Sequence, residues 1–125
     1  MTVVVGTPGN YGTDGNIVDS GQVQVYSYSA SGWMQVGADI NDESAVDLSG
    51  YDVSISANGN IIAIGSPYDN GSGNRGGQVR VFLYDESRWI QMGVNINGST
   101  YVGRFGLYTS ISSDGMIFAF GESKK

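Results

Sequence analysis

Asp39-Ile40-Asn41-Asp42-Glu43-Ser44-Ala45-Val46-Asp47 places four carboxylates, those of Asp39, Asp42, Glu43 and Asp47, within nine residues. Oxygen ligands at that density suit a hard cation such as calcium, so the run is a candidate metal site; a solvated acidic loop is the plain alternative. Asp14-Gly15-Asn16 with Asp19, and Asp69-Asn70-Gly71-Ser72-Gly73-Asn74, carry the same oxygen-rich chemistry. Neither keeps an EF-hand spacing with its closing Glu, and turns demand the same residue types. Adjacent carboxylates, Asp42 with Glu43 and Asp85 with Glu86, are the candidates for acid–base work on a glycan. A glycosidase sets its two carboxyls some 5 to 10 Å apart across a sugar, a poor match to neighbours in a turn. The chain has no His and no Cys, which removes the commonest general base and the thiolate nucleophile, and no Lys is placed to activate a Ser or Tyr. The expectation is a protein that is not an enzyme and has no cofactor, with calcium the one ion to consider.

Charge narrows the partners. The net charge is −6, and the six cations Arg75, Arg80, Arg88, Arg104, Lys124 and Lys125 are scattered, so no basic stripe exists for nucleic acid or an anionic membrane. No apolar run approaches the roughly 20 residues of a spanning helix. Asn70-Gly71-Ser72 and Asn97-Gly98-Ser99 are glycosylation sequons that matter only in a eukaryotic secretory setting. Trp33 and Trp89 could stack on a sugar, but their recurrence at equivalent places favours packing against a neighbouring unit.

That recurrence is general. Ser20-Gly21-Gln22-Val23-Gln24-Val25-Tyr26 returns as Gly76-Gly77-Gln78-Val79-Arg80-Val81-Phe82, Trp33-Met34-Gln35-Val36-Gly37 as Trp89-Ile90-Gln91-Met92-Gly93, and Ser54-Ile55-Ser56-Ala57-Asn58-Gly59 as Ser110-Ile111-Ser112-Ser113-Asp114-Gly115, each 56 residues on. A fixed period of this size marks a repeat architecture whose units bury their apolar faces against neighbours. Within a period, apolar runs such as Ile61-Ile62-Ala63-Ile64 and alternating runs such as Gln78-Val79-Arg80-Val81-Phe82 read as strands. Asn58-Gly59-Asn60 and Asp114-Gly115 predict tight two-residue hairpins. One period therefore predicts four strands, Tyr51 to Ser56, Ile61 to Gly65, Gln78 to Tyr84 and Trp89 to Gly93, in an antiparallel meander. The long connections, Thr7 to Ser20, Ala38 to Ser49, Ser66 to Gly76 and Val94 to Arg104, leave on one face, which is where a ligand would be expected.

Four-stranded sheets repeated radially are β-propeller blades. The pattern resembles the FG-GAP, integrin-alpha-like propeller repeats, through Phe105-Gly106, Ser110-Ile111-Ser112-Ser113-Asp114-Gly115, Ile62-Ala63-Ile64-Gly65-Ser66-Pro67, Gly77-Gln78-Val79-Arg80-Val81-Phe82 and Trp89-Ile90-Gln91-Met92-Gly93. It departs from that family at Ser49-Gly50, in place of Phe-Gly, and at Gly121-Glu122-Ser123, in place of Gly-Ala-Pro. The calcium loop of integrin repeats is missing too: Ala57-Asn58-Gly59-Asn60 and Ser113-Asp114-Gly115 are too short to supply the six or more oxygens calcium takes. The resemblance implies an all-β partial propeller: residues 1–48 hold the last three strands of one blade, 49–104 a complete blade, and 105–125 the first two strands of a further one. It also implies an extracellular or surface-exposed structural or interaction module. The alternatives are a calcium- or carbohydrate-binding propeller using the loop face and, behind that, a glycan-active enzyme.

Four blades of this period already need about 224 residues, so the expected partners are further blades or copies of the chain itself, forming a ring or a filament, with glycans or surface proteins beyond. The expected interaction edge pairs Phe105 to Ser112, including Ser110, Ile111 and Ser112, with the sheet edge at Val3, Val4 and Val5 of a neighbour. Both ends carry a second-strand sequence, so such a joint holds one strand too many.

Overall fold

The computed structural model describes residues 1–8, 21–41, 49–67, 77–98, 105–106 and 108–121. The described residues are all-β, in antiparallel sheets with no helix and no closed barrel. Sheet 1 consists of β1 (Thr2–Thr7), β2 (Gln22–Ser29) and β3 (Gly32–Gln35), with the short β4 (Ile40–Asn41) also on β2. Sheet 2 runs β5 (Asp52–Ile55), β6 (Ile61–Ser66), β7 (Gln78–Tyr84) and β8 (Trp89–Gln91) in order, with β9 (Ile96–Asn97) also on β7. Sheet 3 is the pair β10 (Tyr108–Ile111) and β11 (Phe118–Gly121).

The alternating strands gather their valines on one face, although β7 also buries Phe82 on the other. In β2, Val23 and Val25 are almost fully buried while Gln24 is not, and β7 repeats this with Val79 and Val81 around Arg80. The continuous run is two-sided: Ile62, Ala63 and Ile64 are all at 0% exposure because both faces of β6 are covered, the Ile62 and Ile64 face by sheet 1 and the Ala63 face by the segment that brings Gly106 against Gly65. Val23, Val25 and Ile40 of sheet 1 join Ile62, Ile64 and Phe82 of sheet 2 in one core, with Val4, Val36, Val53, Ile55 and Trp89 packed around it. Sheet 3 has no such centre. Tyr108, Met116 and Ile117 are exposed at 66%, 74% and 69%.

Two local expectations need correction. The fourth strand is broken: β8 ends at Gln91, Met92 N–H still bonds Val81 C=O, and after Gly93 the chain bows out before β9 returns to Gln78 and Val79. The predicted two-residue hairpins are wider. Ser56 N–H bonds Ile61 C=O around a four-residue loop, and Ser112 N–H bonds Ile117 C=O in the same way. Side chains select the longer form. Asn58 Oδ1 accepts from Ser56 Oγ at 2.8 Å and from Asn60 N–H at 3.0 Å, and Asp114 Oδ1 does the same for Ser112 and Met116 at 2.7 and 3.0 Å.

Candidate functional site

The sheets meet along seams made of close backbone approaches. A Cβ on Gly6 would run into the Gly50 carbonyl, and one on Gly65 into the Gly106 carbonyl, so both crossings need glycine. Beside them, parallel bridges tie Gly21 to Ser49 and Gly77 to Phe105. In the first seam Trp89 of sheet 2 reaches back to sheet 1, where its Nε1–H donates to Val36 C=O at 2.8 Å, with Gly37 beneath the ring. In the second seam the outward N–H groups of β10 are met by side chains of β5. Asp52 Oδ2 accepts from Thr109 N–H at 2.6 Å and from Thr109 Oγ1 at 3.2 Å, while Ser54 Oγ accepts from Ile111 N–H at 3.0 Å. Ala57 N–H adds a bond to Ser113 C=O.

A cleft of about 300 Å³ opens on the first seam, between the end of sheet 1 at Asp39 and Asn41 and the outer strands of sheet 2 at Arg80, Arg88, Trp89 and Gln91. Arg80 crosses its floor, with its guanidinium 5.3 Å over the Phe82 ring and Nη2 donating to Ser49 Oγ at 2.9 Å. Asn41 Oδ1 is buried at the rim without a hydrogen-bond partner among the described residues, an acceptor that water or a ligand hydroxyl would satisfy. Aromatic face, guanidinium, carboxylate and amide together suit a small polyhydroxylated molecule. The cleft was not anticipated from the sequence. The available signal was Arg80, which replaces Gln24 of the other copy in an otherwise matching strand.

Of the acidic candidates, Asp42, Glu43 and Asp47 lie outside the described residues, as does the sequon residue Asn70. Asp39 is half-buried, and its Oδ1 accepts from Gln24 Nε2 at 2.9 Å and from Gln35 Nε2 at 2.6 Å. Asn95 holds the equivalent place and accepts from Gln91 Nε2 at 2.6 Å. An amide oxygen serves there as well as a carboxylate, so the position requires an acceptor rather than a charge. Among the described residues no three of His, Cys, Asp or Glu gather as metal ligands. Asp85 is committed to its own turn, accepting from the backbone of Arg88 and Ser87 and from Ser87 Oγ, each at 2.9 Å. Those bonds, the Arg88 N–H foremost, hold its carboxyl below the usual range. Its neighbour Glu86 sits at φ 79° in that turn. Asn97, the second sequon residue, is exposed in β9.

Val3, Val4 and Val5 lie in β1, bonded on one side to β2 and paired with no described strand on the other. Phe105 is in the second seam, Ser110 and Ile111 are in β10, and Ser112 closes its hairpin. No protein-family model matches this chain, and no curated protein does.

Proposed function

We propose that the chain is a non-catalytic β-propeller module, structural or interaction-mediating, whose sheets are blades completed by other blades. The observation that supports this most is the repetition of the seam. Gly6 against Gly50 with the Gly21–Ser49 bridge has the same form as Gly65 against Gly106 with the Gly77–Phe105 bridge. Equal joints between successive equal units generate a regular array, and each unit is then stabilised mainly by its neighbours. A surface-exposed or extracellular setting accords with the resemblance of the repeat to FG-GAP units.

Inserting a second copy of residues 49–104 after Arg104 tests the reading. The added unit and its seam should raise Tm by several degrees while the far-UV spectrum stays purely β. An unchanged or lowered Tm would show that the unit is not a stackable blade. A second reading, carbohydrate binding, draws on the Trp89–Arg80 cleft and the unpartnered Asn41 Oδ1. Calorimetric titration with a panel of oligosaccharides checks it: heat lost on Trp89→Ala and Arg80→Ala supports binding there, and no heat with any sugar removes it.

A further inference from the structure

We infer that the two ends of this chain are complementary and that copies of it join head to tail, β10 of one copy completing the sheet that begins with β1 of the next. The inference rests on the blade reading above and names its partner, a second copy of the same chain. Two separate contacts carry it.

One is the ladder. Tyr28 N–H bonds Met1 C=O, so by alternation the odd residues of β1 face β2, while Thr2, Val4 and Gly6 turn their backbone groups outward. In sheet 2 the equivalent strand is β6, aligned by Val4 opposite Val25 as Ala63 is opposite Val81, and by Gly6 opposite Val23 as Gly65 is opposite Val79. The outward groups of Ala63 and Gly65 face Ser54 and Asp52 of β5. β1 therefore offers the same phase to a strand that, among the described residues, is not there. Exposure follows: Val5 is 42% open and its counterpart Ile64 0%. In sheet 3 that strand exists as β10, with Ser110 opposite Ala119 and Tyr108 opposite Gly121. Replacing β11 by β1 of another copy sets Ser110 against Val4 and Tyr108 against Gly6 in unchanged register.

The surplus strand is β11. Asp52, Ser54 and the Gly77–Phe105 bridge fix β10 and its approach to sheet 2, whereas among the described strands β11 pairs with β10 alone, in a two-stranded ribbon of marginal stability held further only by Gly106 N–H on Gly121 C=O and by the Phe105–Phe120 ring contact. β1, by contrast, arrives backed by β2 and β3.

The other contact is a tryptophan and its seat. Trp89 rests on Gly37 and bonds Val36 C=O; the counterparts one period away are Trp33, Gly93 and Met92. Trp33 is 50% exposed, with Tyr28 5.0 Å from its ring as Tyr84 is 5.0 Å from that of Trp89. Among the described residues a Cβ on Gly93 would meet nothing within 4 Å. In the joint that places β10 on β1, Trp33 of the incoming copy lands on this vacant seat and donates to the Met92 carbonyl. The contact is heterologous, so its rotation decides between a ring and a filament.

The test blocks each end separately. Val4→Pro removes an outward N–H without touching the bonds to β2, and Gly93→Leu fills the seat. The unaltered chain should sediment above 13.2 kDa with rising concentration, each variant should remain at 13.2 kDa, and their equimolar mixture, having one good joint, should stop at twice that mass. Ala119→Pro, which loosens β11, should strengthen association by about fivefold or more. A chain that stays at 13.2 kDa throughout, a variant that associates as the parent does, or a mixture that stays monomeric overturns the joint. Amide exchange at Thr109 and Ile111 separates the two failures. Protection there in a monomeric chain keeps the internal seam and rejects only self-assembly, whereas free exchange removes the seam as well.

Discussion

Gly37 and Gly93 hold the same place in two copies of one unit, with φ of +73° and +72°, yet one lies under an indole and the other faces open space. The local conformation is alike because each closes a Trp-x-Gln-x-Gly segment whose penultimate N–H bonds the strand beside it, Val36 to Val25 and Met92 to Val81. Burial differs because it depends on whether another sheet follows on that side. The same contrast divides the described residues into a seam filled by core side chains between sheets 1 and 2 and a thinner edge at sheet 3.

The largest expected break in that contrast is at the glycine crossings. Gly65→Ala drives a Cβ into the Gly106 backbone and should cost about 3 kcal/mol, whereas Gly121→Ala meets only the Tyr108 side chain at 3.2 Å and should cost under about 1 kcal/mol in urea unfolding. The tryptophans come next. Trp89→Ala removes core packing and the Val36 bond and should cost about 3 kcal/mol, against about 1 kcal/mol or less for the half-exposed Trp33→Ala in dilute protein. Equal losses would mean that the first seam is no tighter than the free end.

Smaller effects are expected from the polar links of the second seam. Asp52→Ala strips the acceptor from Thr109 N–H and should cost about 1 to 2 kcal/mol, with faster amide exchange at Thr109. Tyr108→Ala, at the equivalent and exposed place, should change stability by no more than about 0.5 kcal/mol. The turns give the mildest signal. Asp85 is held below 3.8 first by the Arg88 N–H and Asp114 below 3.8 first by Ser112 Oγ. A lowered folded pKa means that each contributes its stability above 3.8 and loses it as pH falls through the folded value. Asp85→Asn should flatten the acid limb of the melting curve slightly, and a limb left unchanged would assign it to other carboxylates.

Strand positions were open to reading in the residues. Gln78 to Tyr84 is found as predicted, and Ile61 to Gly65 is extended by one residue to Ser66, because valine alternation and an isoleucine run leave little choice of face. The break after Gln91 was hidden, since Met92, Gly93 and Val94 continue an apolar run and only the pairing of β9 with Gln78 and Val79 shows the bow. The hairpins are wider than their Asn-Gly and Asp-Gly pairs predict for a related reason: Asn58 and Asp114 use their side chains to close a longer loop, a competition those pairs do not announce. The charge of Asp39 suggests a metal ligand in the sequence, while its two glutamine donors sit 15 and 4 residues away along the chain and are brought together only by pairing.

By itself the sequence determined the repeat, the strand faces and the scarcity of catalytic side chains, since these follow from residue type and period alone. Tertiary structure decided which of two identical positions is filled. Trp89 and Trp33, Gly37 and Gly93, Ile64 and Val5 are near-equals in sequence and unequal in surroundings, because burial and hydrogen-bond satisfaction belong to the neighbouring sheet and not to the residue.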